Sequence, residues 1–482
     1  MPWHLQPLPF ATDAFSWFRR LEREPMPFIL ESHNAANQRY DIIGAAPSQV
    51  VSARNGIVQV NGADVSGDAF AAVQRLVEAH RPITSCPLDL PFQGGAVGYF
   101  GYELNHSVLR PDYHGAHRAT TDPAPSDTAL SGTALSDTAL PDMLVGIYDA
   151  FISIDHHLRT AHLVCSPAVN ETRRAHLLDL LIGSGTPPDL DFKTTSPTQA
   201  SITRAEYDSA FNTIKDFILA GDCYQVNYTQ RFSARYQGNP VGLYAALRLR
   251  QRAPFSACLR TPDADILSFS PERLVRLEGK RILTQPIKGT RGRDPDPTED
   301  QRLASELQNS EKDRAENLMI VDLLRNDLGK TAVPGSVKVE RLFELVSFAN
   351  VHHLVSTISA ELRPDFSAMD LLRACFPGGS VTGAPKHRAM QIIDALEPVR
   401  RNAYCGAIGY YSYHGNLDTN LPIRTLVCSG DTLHYWGGGG IVADSEADLE
   451  YAESRLKVNF ISEVLATLRA PGTQAGSKAA PD

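Results

Sequence analysis

One stretch of the chain reads Arg281-Ile282-Leu283-Thr284-Gln285-Pro286-Ile287-Lys288-Gly289-Thr290-Arg291, a short apolar run followed by a lysine. Upstream, a second apolar run ends in an acid and reads Ile266-Leu267-Ser268-Phe269-Ser270-Pro271-Glu272. Runs of this length between turn residues are typical of β-strands. We therefore expect two neighbouring strands that place the Lys288 amine beside the Glu272 carboxyl group.

The composition is that of an ordinary globular protein of 482 residues, 43% hydrophobic and 21% charged. This length accommodates about two or three domains. The formal net charge of −9 argues against a general nucleic-acid binder, which would carry a basic face. Strands and helices alternate without a regular βαβ rhythm, which predicts a layered α/β or α+β fold rather than a barrel.

The cysteines and the apolar segments indicate where the protein works. The seven cysteines are scattered and include no C-x-x-C pair, as expected for reduced thiols in a cytosolic protein. The N-terminal residues show no signal peptide, and no apolar run reaches membrane-spanning length. We expect a soluble, cytoplasmic protein.

Composition also divides the chain. Residues 1–182 form an N-terminal region with one helical stretch, Ala69 to His80, and an insertion near 118–142 that we expect to be disordered. That insertion contains a pentapeptide repeat over 126–140, whose role stays open. Residues 183–201 are predicted to be a linker and 202–468 the catalytic region. Residues 469–482 are predicted to be a disordered tail.

Two predicted helices in the catalytic region carry acids. Thr298 with Gln301 resembles a capping box for a preceding helix, and Ser310 is a candidate N-cap for the next one. On that next helix Asp313 and Glu316 share one face. Its predicted apolar stripe contains Leu318, Val321, Leu324 and Leu328, and Gly329 is a natural stop.

A helix predicted to begin at Ser445 carries the other acids. Its expected buried stripe contains Leu449, Ala452, Leu456 and Phe460. Glu450, Glu453 and Lys457 line an adjoining stripe. Two such helices can close on one Mg²⁺ ion, which takes one or two carboxylates together with waters and substrate oxygens. The alternative is a pair of solvated helix faces.

Two glycine-rich segments suggest close approach of a ligand. The first runs from Phe376 to Lys386 into a helix, and its spacing does not match a P-loop. The second, Gly437 to Gly440, leads towards the acidic helix; a plain strand-end turn is equally compatible with it. Arg424 within an apolar run is either a strand-end surface residue or a carboxylate clamp. His352 and His353 are better explained as hydrogen-bonding residues than as metal ligands.

Taken in order, these segments resemble the chorismate-utilising enzymes, most strongly over about residues 200–468. The segments that carry the resemblance are Asp222-Cys223-Tyr224-Gln225-Val226-Asn227, Ser270-Pro271-Glu272-Arg273, Pro286-Ile287-Lys288-Gly289-Thr290, Asp313-Arg314-Ala315-Glu316-Asn317, Arg325-Asn326-Asp327 and Gly438-Gly439-Gly440-Ile441-Val442-Ala443-Asp444. The resemblance implies a fold similar to anthranilate synthase component I, with two mixed or antiparallel β-sheets packed together and flanked by helices.

Two positions discriminate within that family. Lys288 occupies the place where anthranilate synthases carry alanine, and Gln225 the place where isochorismate and salicylate synthases use a lysine to activate water. A nucleophilic lysine without a water-activating lysine resembles the aminodeoxychorismate synthases, component I. Anthranilate synthase component I is the alternative, distinguished by its product.

The resemblance also implies roles for single residues. Glu272 protonates the departing C4 hydroxyl, while Lys288, which we expect burial to keep neutral, attacks C2 and forms a covalent adduct. Ammonia then adds at C4 and expels the lysine, giving 4-amino-4-deoxychorismate. Glu316 and Glu453 hold Mg²⁺, with Asp313 and Glu450 acting through water. The implied substrate-binding residues are Gln225, His353, Thr382, Gly383, Tyr404, Arg424, Gly438, Gly439, Gly440 and Lys457.

Two further expectations follow from the resemblance. A glutamine amidotransferase partner supplies the ammonia, since no Cys/His glutaminase motif is visible in this chain, and the product feeds para-aminobenzoate and folate synthesis. In the N-terminal region, Leu30-Glu31-Ser32 is similar to the tryptophan-pocket segment of anthranilate synthase. A structural tryptophan site, a vestigial one and plain strand packing remain open for Glu31 and Ser32.

Overall fold

The computed structural model describes residues 2–11, 13–33, 39–108, 140–347 and 351–469. The predicted insertion near 118–142 lies outside these ranges up to residue 139, and the predicted tail lies outside them from residue 470. Across the described ranges, no helix is long and apolar enough to cross a membrane.

The described residues form 25 β-strands. Numbered in chain order, they are β1 (His4–Leu8), β2 (Phe28–Glu31), β3 (Tyr40–Gly44), β4 (Gln49–Arg54), β5 (Ile57–Val60), β6 (Ala63–Val65), β7 (Gly95–Phe100), β8 (Met143–Tyr148), β9 (Ala150–Asp155), β10 (Thr160–Cys165), β11 (Phe192–Thr194), β12 (Gln199–Ala200), β13 (Gln225–Gly238), β14 (Phe255–Arg260), β15 (Asp265–Ser270), β16 (Arg273–Glu278), β17 (Arg281–Gln285), β18 (Ile287–Gly292), β19 (Lys338–Ser347), β20 (Val351–Glu361), β21 (Gly383–Ala384), β22 (Ala407–Ser412), β23 (Leu417–Asn420), β24 (Thr425–Ser429) and β25 (Thr432–Ile441).

Twelve α-helices connect and cover these strands. They are α1 (Phe15–Leu21), α2 (Ala69–His80), α3 (Asn105–Val108), α4 (Glu171–Ile182), α5 (Arg204–Leu219), α6 (Pro240–Arg250), α7 (Pro297–Asn309), α8 (Glu311–Gly329), α9 (Ala368–Cys375), α10 (Lys386–Leu396), α11 (Ala447–Leu456) and α12 (Asn459–Thr467), with 3₁₀ turns at Tyr102–Leu104 and Gly379–Val381.

The strands form two large antiparallel sheets. The first has 13 strands in the order β1-β10-β9-β3-β2-β14-β15-β24-β25-β13-β11, with β12 and β21 also paired to β13. The second has 12 strands in the order β18-β20-β17-β16-β23-β22-β7-β8-β4-β5-β6, with β19 paired to β20. The predicted layered α+β fold with two packed sheets is confirmed.

Apolar residues form two cores, one on each side of the first sheet. The larger core contains residues of both sheets, such as Val226 and Val275, together with residues of α2, α8, α9 and α10. The smaller core packs α1, α4, α6 and α12 onto the outer face of the first sheet through residues such as Phe18, Tyr244 and Ile461. Burial of this much apolar surface is the main favourable contribution to folding.

Three expectations about the chain's organisation need correction. Both sheets draw strands from the N-terminal and the catalytic regions, so the two regions share their sheets and cores. The predicted linker contains β11 and β12, which pair with β13. The two apolar runs that contain Glu272 and Lys288 belong to different sheets, because the chain crosses from the first sheet to the second between β15 and β16.

The helix predictions are partly right. The predicted helix from Ala69 to His80 and the Ser310 cap of α8 are confirmed. The helix before α8 is capped by Asp296, whose carboxylate accepts the amides of Thr298 and Glu299, so the predicted Thr298 cap is wrong. On α8, Val321, Leu324 and Leu328 are buried as predicted, but Leu318 is exposed.

The predicted buried stripe of α11 is wrong. Leu449 and Leu456 are 62% and 72% exposed, whereas Glu450 and Ser454 face inward. The cause lies in β25, where a Cβ at Gly437 would come within 2.2 Å of the Ser454 carbonyl oxygen. Because the backbone of α11 packs this closely on β25, its inner face holds the small Ser454 and, beside the glycines, Glu450.

Candidate active site

The sequence-predicted amine lies beside two of the predicted acids. Lys288 is on β18, and its Nζ donates a hydrogen bond of 2.7 Å to Glu316 Oε1 on α8. Gly289 adopts a φ of +85°, and a Cβ there would lie 3.1 Å from that of Asp313. Glycine at this position therefore lets β18 pass close to the first turns of α8.

Glu272 lies in the short crossing between β15 and β16 and is buried. Its Oε1 accepts a hydrogen bond of 2.7 Å from the Ser380 hydroxyl. Burial raises the pKa of Glu272 to about 7, against the opposing effects of the Ser380 hydrogen bond and the charges of Lys288 and Lys457. A carboxyl group with this pKa keeps its proton near neutral pH and can act as a general acid.

The protonation of Lys288 differs from the expectation. Burial acts to lower its pKa, but the neighbouring carboxylates of Glu316, Glu272 and Glu453 outweigh burial, and the pKa is raised. In this arrangement Lys288 is therefore an ammonium ion. The prediction that desolvation alone keeps it neutral is wrong, because the same acids that surround the site stabilise the charged form.

The two acids on α11 lie across the glycine strand from Glu316. Glu450 is buried, accepts a hydrogen bond of 2.6 Å from the Ser445 hydroxyl, and has a pKa raised by burial. Glu453 pairs with Lys457 at 2.8 Å, and the charge of Lys457 lowers its pKa. The remaining predicted acid, Asp313, lies 3.3 Å from Arg291.

The backbone between these acids suits a small cation. A Cβ at Gly439 would lie 3.2 Å from Glu450 Oε2, and one at Gly440 would lie 3.0 Å from Glu316 Oε1. Lysine ammonium groups currently supply the positive charge, since Lys288, Lys312 and Lys457 face Glu316, Glu450 and Glu453. These carboxylate oxygens already bind cationic groups, and hard oxygen donors of this kind are suitable ligands for Mg²⁺.

The described residues nevertheless do not form a complete metal-binding set. Within them, no three His, Cys, Asp or Glu side chains converge closely enough to hold one ion. Mg²⁺ sites commonly use one or two carboxylates and complete the shell with water and substrate. The donor set therefore fits an ion that is bound together with a ligand, and the assignment of individual ligands stays a prediction.

Gln225 begins β13 at the floor of the site and is fully buried. Neither atom of its side-chain amide has a hydrogen-bond partner among the described residues. Its Nε2 lies 2.4 Å from where a Cβ at Gly440 would be, so the amide faces the glycine strand. An unpaired buried amide costs about 1–3 kcal/mol, which a ligand that pairs with it would recover.

Arg424 places a positive charge on another side of the site. Arg424 precedes β24 with a φ of +53°, and burial lowers its pKa to about 10. Its backbone carbonyl oxygen accepts the Phe269 amide, but its guanidinium group forms no hydrogen bond or ion pair with any residue that the structure describes. Of the two interpretations offered by the sequence, the environment of Arg424 favours a carboxylate clamp over a strand-end surface residue, because a partly buried, unpaired guanidinium is stabilised by an anionic partner.

The other predicted binding residues lie close to this side of the site. His353 shares a hydrogen bond of 2.9 Å with Thr290, and burial together with the Arg424 charge lowers its pKa to about 3, so the ring is neutral. Tyr404 stacks on Trp436 with ring centroids 5.8 Å apart. Trp436 follows His434 on the same face of β25, and neither residue was singled out from the sequence.

The glycine-rich segment before α10 forms the remaining wall. Thr382 is buried, and its hydroxyl donates to the carbonyl oxygen of Gly378. Gly383 has a φ of +147°, and a Cβ there would lie 2.1 Å from the Gln225 carbonyl oxygen. Ser380, whose hydroxyl donates a hydrogen bond to Glu272, lies in the glycine-rich segment from Phe376 to Lys386 but was not predicted as a site residue. The only sequence signal for it was a hydroxyl-bearing residue within that glycine-rich segment.

Glu31 and Ser32 line a separate cavity of about 290 Å³. Glu31 is buried and pairs with Arg248 and Tyr244, and Ser32 donates its hydroxyl hydrogen to Asp41 at 2.7 Å. Other residues of the wall are Pro254, Phe255, Tyr410, Asp418 and Asn420. The neighbourhood of Leu30-Glu31-Ser32 is therefore a cavity and not plain strand packing.

Comparison with known proteins gives a consistent result. A model of the family described as chorismate binding enzyme matches residues 25–463. The chain is 44% identical to aminodeoxychorismate synthase component 1 of Escherichia coli (strain K12), with 93% of this chain and 95% of the relative covered. It is 36% identical to anthranilate synthase component 1 of Pseudomonas aeruginosa, with 93% of each chain covered.

A solved structure shares the two-sheet architecture. Anthranilate synthase component I from Streptococcus pneumoniae TIGR4 superimposes with a TM-score of 0.74 at 30% sequence identity, covering 89% of this chain and 93% of the other. The residues matched by the family model include all the acids and lysines described above. This chain therefore belongs to the chorismate binding enzyme family.

Proposed function

We propose that this protein is a cytoplasmic enzyme that aminates chorismate to 4-amino-4-deoxychorismate. The observation that carries the proposal is the Lys288 amine at 2.7 Å from Glu316, in the same pocket as the buried Glu272, whose pKa is raised to about 7. The relatives with 43–44% identity are named aminodeoxychorismate synthase component 1, and the relatives named anthranilate synthase component 1 reach 36%. This function belongs to the synthesis of para-aminobenzoate and folate.

The residues divide the chemistry between them. Arg424, whose guanidinium is partly buried and unpaired among the described residues, binds one carboxylate of the substrate, and Tyr404 and His353 shape the pocket around it. Lys288 reacts as the free amine, after its ammonium proton has passed to solvent. Glu272 gives its proton to the C4 oxygen, which leaves as water while the neutral Lys288 Nζ bonds to C2. Ammonia then bonds to C4, and the C2–N bond breaks to return the lysine. The enolpyruvyl group stays on the ring throughout, so no pyruvate is released.

We propose Mg²⁺ as the cofactor, with Glu316 and Glu453 as ligands and Asp313 and Glu450 acting through water. When bound, the ion supplies positive charge that neutralises these acids and withdraws electrons from the substrate ring. The chain's own contribution is to hold the acids apart along Gly438, Gly439 and Gly440 and to balance their charge with Lys457. Neutralising Glu316 also removes the charge that most strongly raises the pKa of Lys288.

We propose a glutamine amidotransferase as the partner that delivers the ammonia. The relatives' names call them component 1, which supports a second component. We further propose that the cavity beside Glu31 and Ser32 binds tryptophan. Its volume of about 290 Å³ and its mixture of apolar and charged walls suit an aromatic amino acid.

The first prediction concerns Lys288. With chorismate, free ammonia and Mg²⁺, the wild-type protein should form 4-amino-4-deoxychorismate without releasing pyruvate, as measured by mass spectrometry of the product. Lys288→Ala should lower kcat by orders of magnitude, because it removes the amine that bonds to C2 in the proposed reaction. The exposed lysine of the β16–β17 turn provides the matched control, Lys280→Ala. Anthranilate with pyruvate as the wild-type products would instead assign the alternative activity.

The second prediction concerns the proton on Glu272. Infrared difference spectra of the metal-free protein should show a protonated carboxyl band below pH 7 that disappears as the pH rises through about 7, because burial raises the pKa of Glu272. The band should be missing in Glu272→Gln, whose kcat should fall about 10²- to 10⁴-fold with loss of the general acid. A carboxyl group that ionises near pH 4 would contradict this assignment.

The third prediction concerns the metal. Glu316→Gln and Glu453→Gln should each weaken Mg²⁺ binding in the presence of chorismate, measured by titration calorimetry, and should abolish Mg²⁺-dependent turnover. The exposed acid of α12 serves as control through Glu463→Gln, which should leave the binding isotherm unchanged. Undiminished Mg²⁺ affinity in both variants would mean that these acids are ordinary solvated groups.

The fourth prediction concerns the separate cavity. Equilibrium dialysis with radiolabelled tryptophan should find one site per chain, and Ser32→Leu should abolish binding because the larger side chain occupies the cavity. Chorismate turnover by this variant in the absence of tryptophan should stay close to that of the wild type. If the wild-type protein bound no tryptophan, the cavity would be vestigial.

A further inference from the structure

A second buried lysine lies behind the active site and has no role in the chemistry described so far. Lys386 begins α10 and is 9% exposed. Its Nζ contacts a carboxylate oxygen of Asp327 and donates a hydrogen bond of 2.8 Å to the Pro377 carbonyl oxygen. The Cys375 carbonyl oxygen lies 3.5 Å away. An ammonium ion this deeply buried is tolerated only when its donors are satisfied in this way.

The acceptors of Lys386 belong to the two elements that carry opposite sides of the active site. Asp327 is near the end of α8, the helix that presents Glu316 about 16 Å earlier along its axis. Cys375 ends α9, and Pro377 lies in the loop that continues to Ser380, whose hydroxyl donates a hydrogen bond to Glu272. Lys386 thus joins the helix that carries Glu316 to the loop that supports the general acid.

The loop has little freedom to adjust on its own. A Cβ at Gly379 would lie 2.7 Å from Leu323 Cδ2 of α8, so the loop backbone rests directly on that side chain. On the far side, the Arg401 guanidinium donates to the Val381 carbonyl oxygen at 2.8 Å. With these contacts in place, the carbonyl oxygens that face Lys386 cannot turn towards another donor without moving Ser380.

We propose that Lys386 is a positioning residue that holds the Ser380 hydroxyl against Glu272 and fixes the distance between Glu272 and Glu316. Without the ammonium group, one carboxylate oxygen of Asp327 and the Pro377 carbonyl oxygen would face each other without a donor between them, and the loop would shift away from α8. The proposal extends the proposed function, because it takes Glu272 as the general acid of that reaction.

Asp327 supplies a matched control. Its other carboxylate oxygen accepts a hydrogen bond of 2.8 Å from Lys330, whose side chain is 49% exposed. Lys330 contacts none of the carbonyl oxygens of the 375–382 loop among the described residues. Lys330→Met and Lys386→Met therefore remove one lysine each from the same carboxylate, but only Lys386→Met releases the loop.

The experiment titrates Glu272 by infrared spectroscopy in metal-free protein and measures kcat with free ammonia. In Lys386→Met the carboxyl titration should move to higher pH, because the Ser380 hydroxyl no longer donates to the ionised form. Ser380→Ala should move it in the same direction, and the double variant should move it no further than either single one. kcat should fall about 10- to 100-fold, as expected for a small misplacement of a catalytic group, with a smaller change in KM. Lys330→Met should resemble the wild type.

A Lys386→Met titration that coincides with the wild type, or shifts of Lys386→Met and Ser380→Ala that add, would overturn the proposal and leave Lys386 with a purely stabilising role. If Lys386→Met does not fold, Lys386→Gln is judged by the same titration, since its shorter, uncharged side chain stays polar but cannot bridge Asp327 and the Pro377 carbonyl oxygen. A shift to higher pH supports the proposal and an unchanged titration overturns it. The titration is independent of the substrate, so an error in the proposed function would change the kinetic result and leave the infrared result intact.

Discussion

The hydrogen bond between Lys288 and Glu316 forms only because β18, an edge strand of the second sheet, packs against α8. Much of the catalytic region holds these two elements in contact. Ser310 caps α8 at the end that carries Glu316, and Val321, Leu324 and Leu328 bury its other end. Gly289 lets β18 lie close to the helix. The amine and the acid are therefore placed by two elements that are each fixed over most of their length.

Charge balance is the second constraint on the site. Several carboxylates lie within one partly buried pocket, and such groups are costly unless each has a cationic partner. Lys288, Lys312 and Lys457 provide those partners for Glu316, Glu450 and Glu453. The carboxylates keep Lys288 charged, while burial raises the pKa of Glu272 to about 7 against the lysine charges, which prepares the acid but not the nucleophile. Because the charge of Glu316 raises the pKa of Lys288, a cation that binds Glu316 would also change the protonation of Lys288.

The sequence predicted the chemical groups better than it predicted their environments. Motif residues such as Lys288, Glu272 and Arg424 could be recognised because each motif is short and local. The assignment of strands to sheets could not be predicted, because the chain passes from one sheet to the other between β15 and β16 and pairs strands that are far apart in sequence. The Ser380–Glu272 hydrogen bond joins residues more than a hundred positions apart, and no local pattern indicates such a pair. The net pKa of Lys288 likewise depends on which acids the fold brings near it.

The failed prediction for α11 has a specific physical cause. The spacing of Leu449 and Leu456 indicates an apolar stripe, and such a stripe usually faces a core. Here the strand beneath the helix is a run of glycines, so the helix backbone packs against the sheet directly and turns Glu450 inward. The glycines that bring the acid to the site are thus the reason why the leucines are left outside.

Gln225 connects this geometry to the choice of reaction. A side-chain amide cannot accept a proton near neutral pH, so Gln225 cannot act as a general base that activates water. Its donor and acceptor are buried and unpaired among the described residues, and they remain able to orient a ligand beside Gly440. With an amide at this position, the proposed reaction relies on the Lys288 amine to bond to the ring. Under the proposed function, the amide at 225 and the amine at 288 together favour amination over the addition of water.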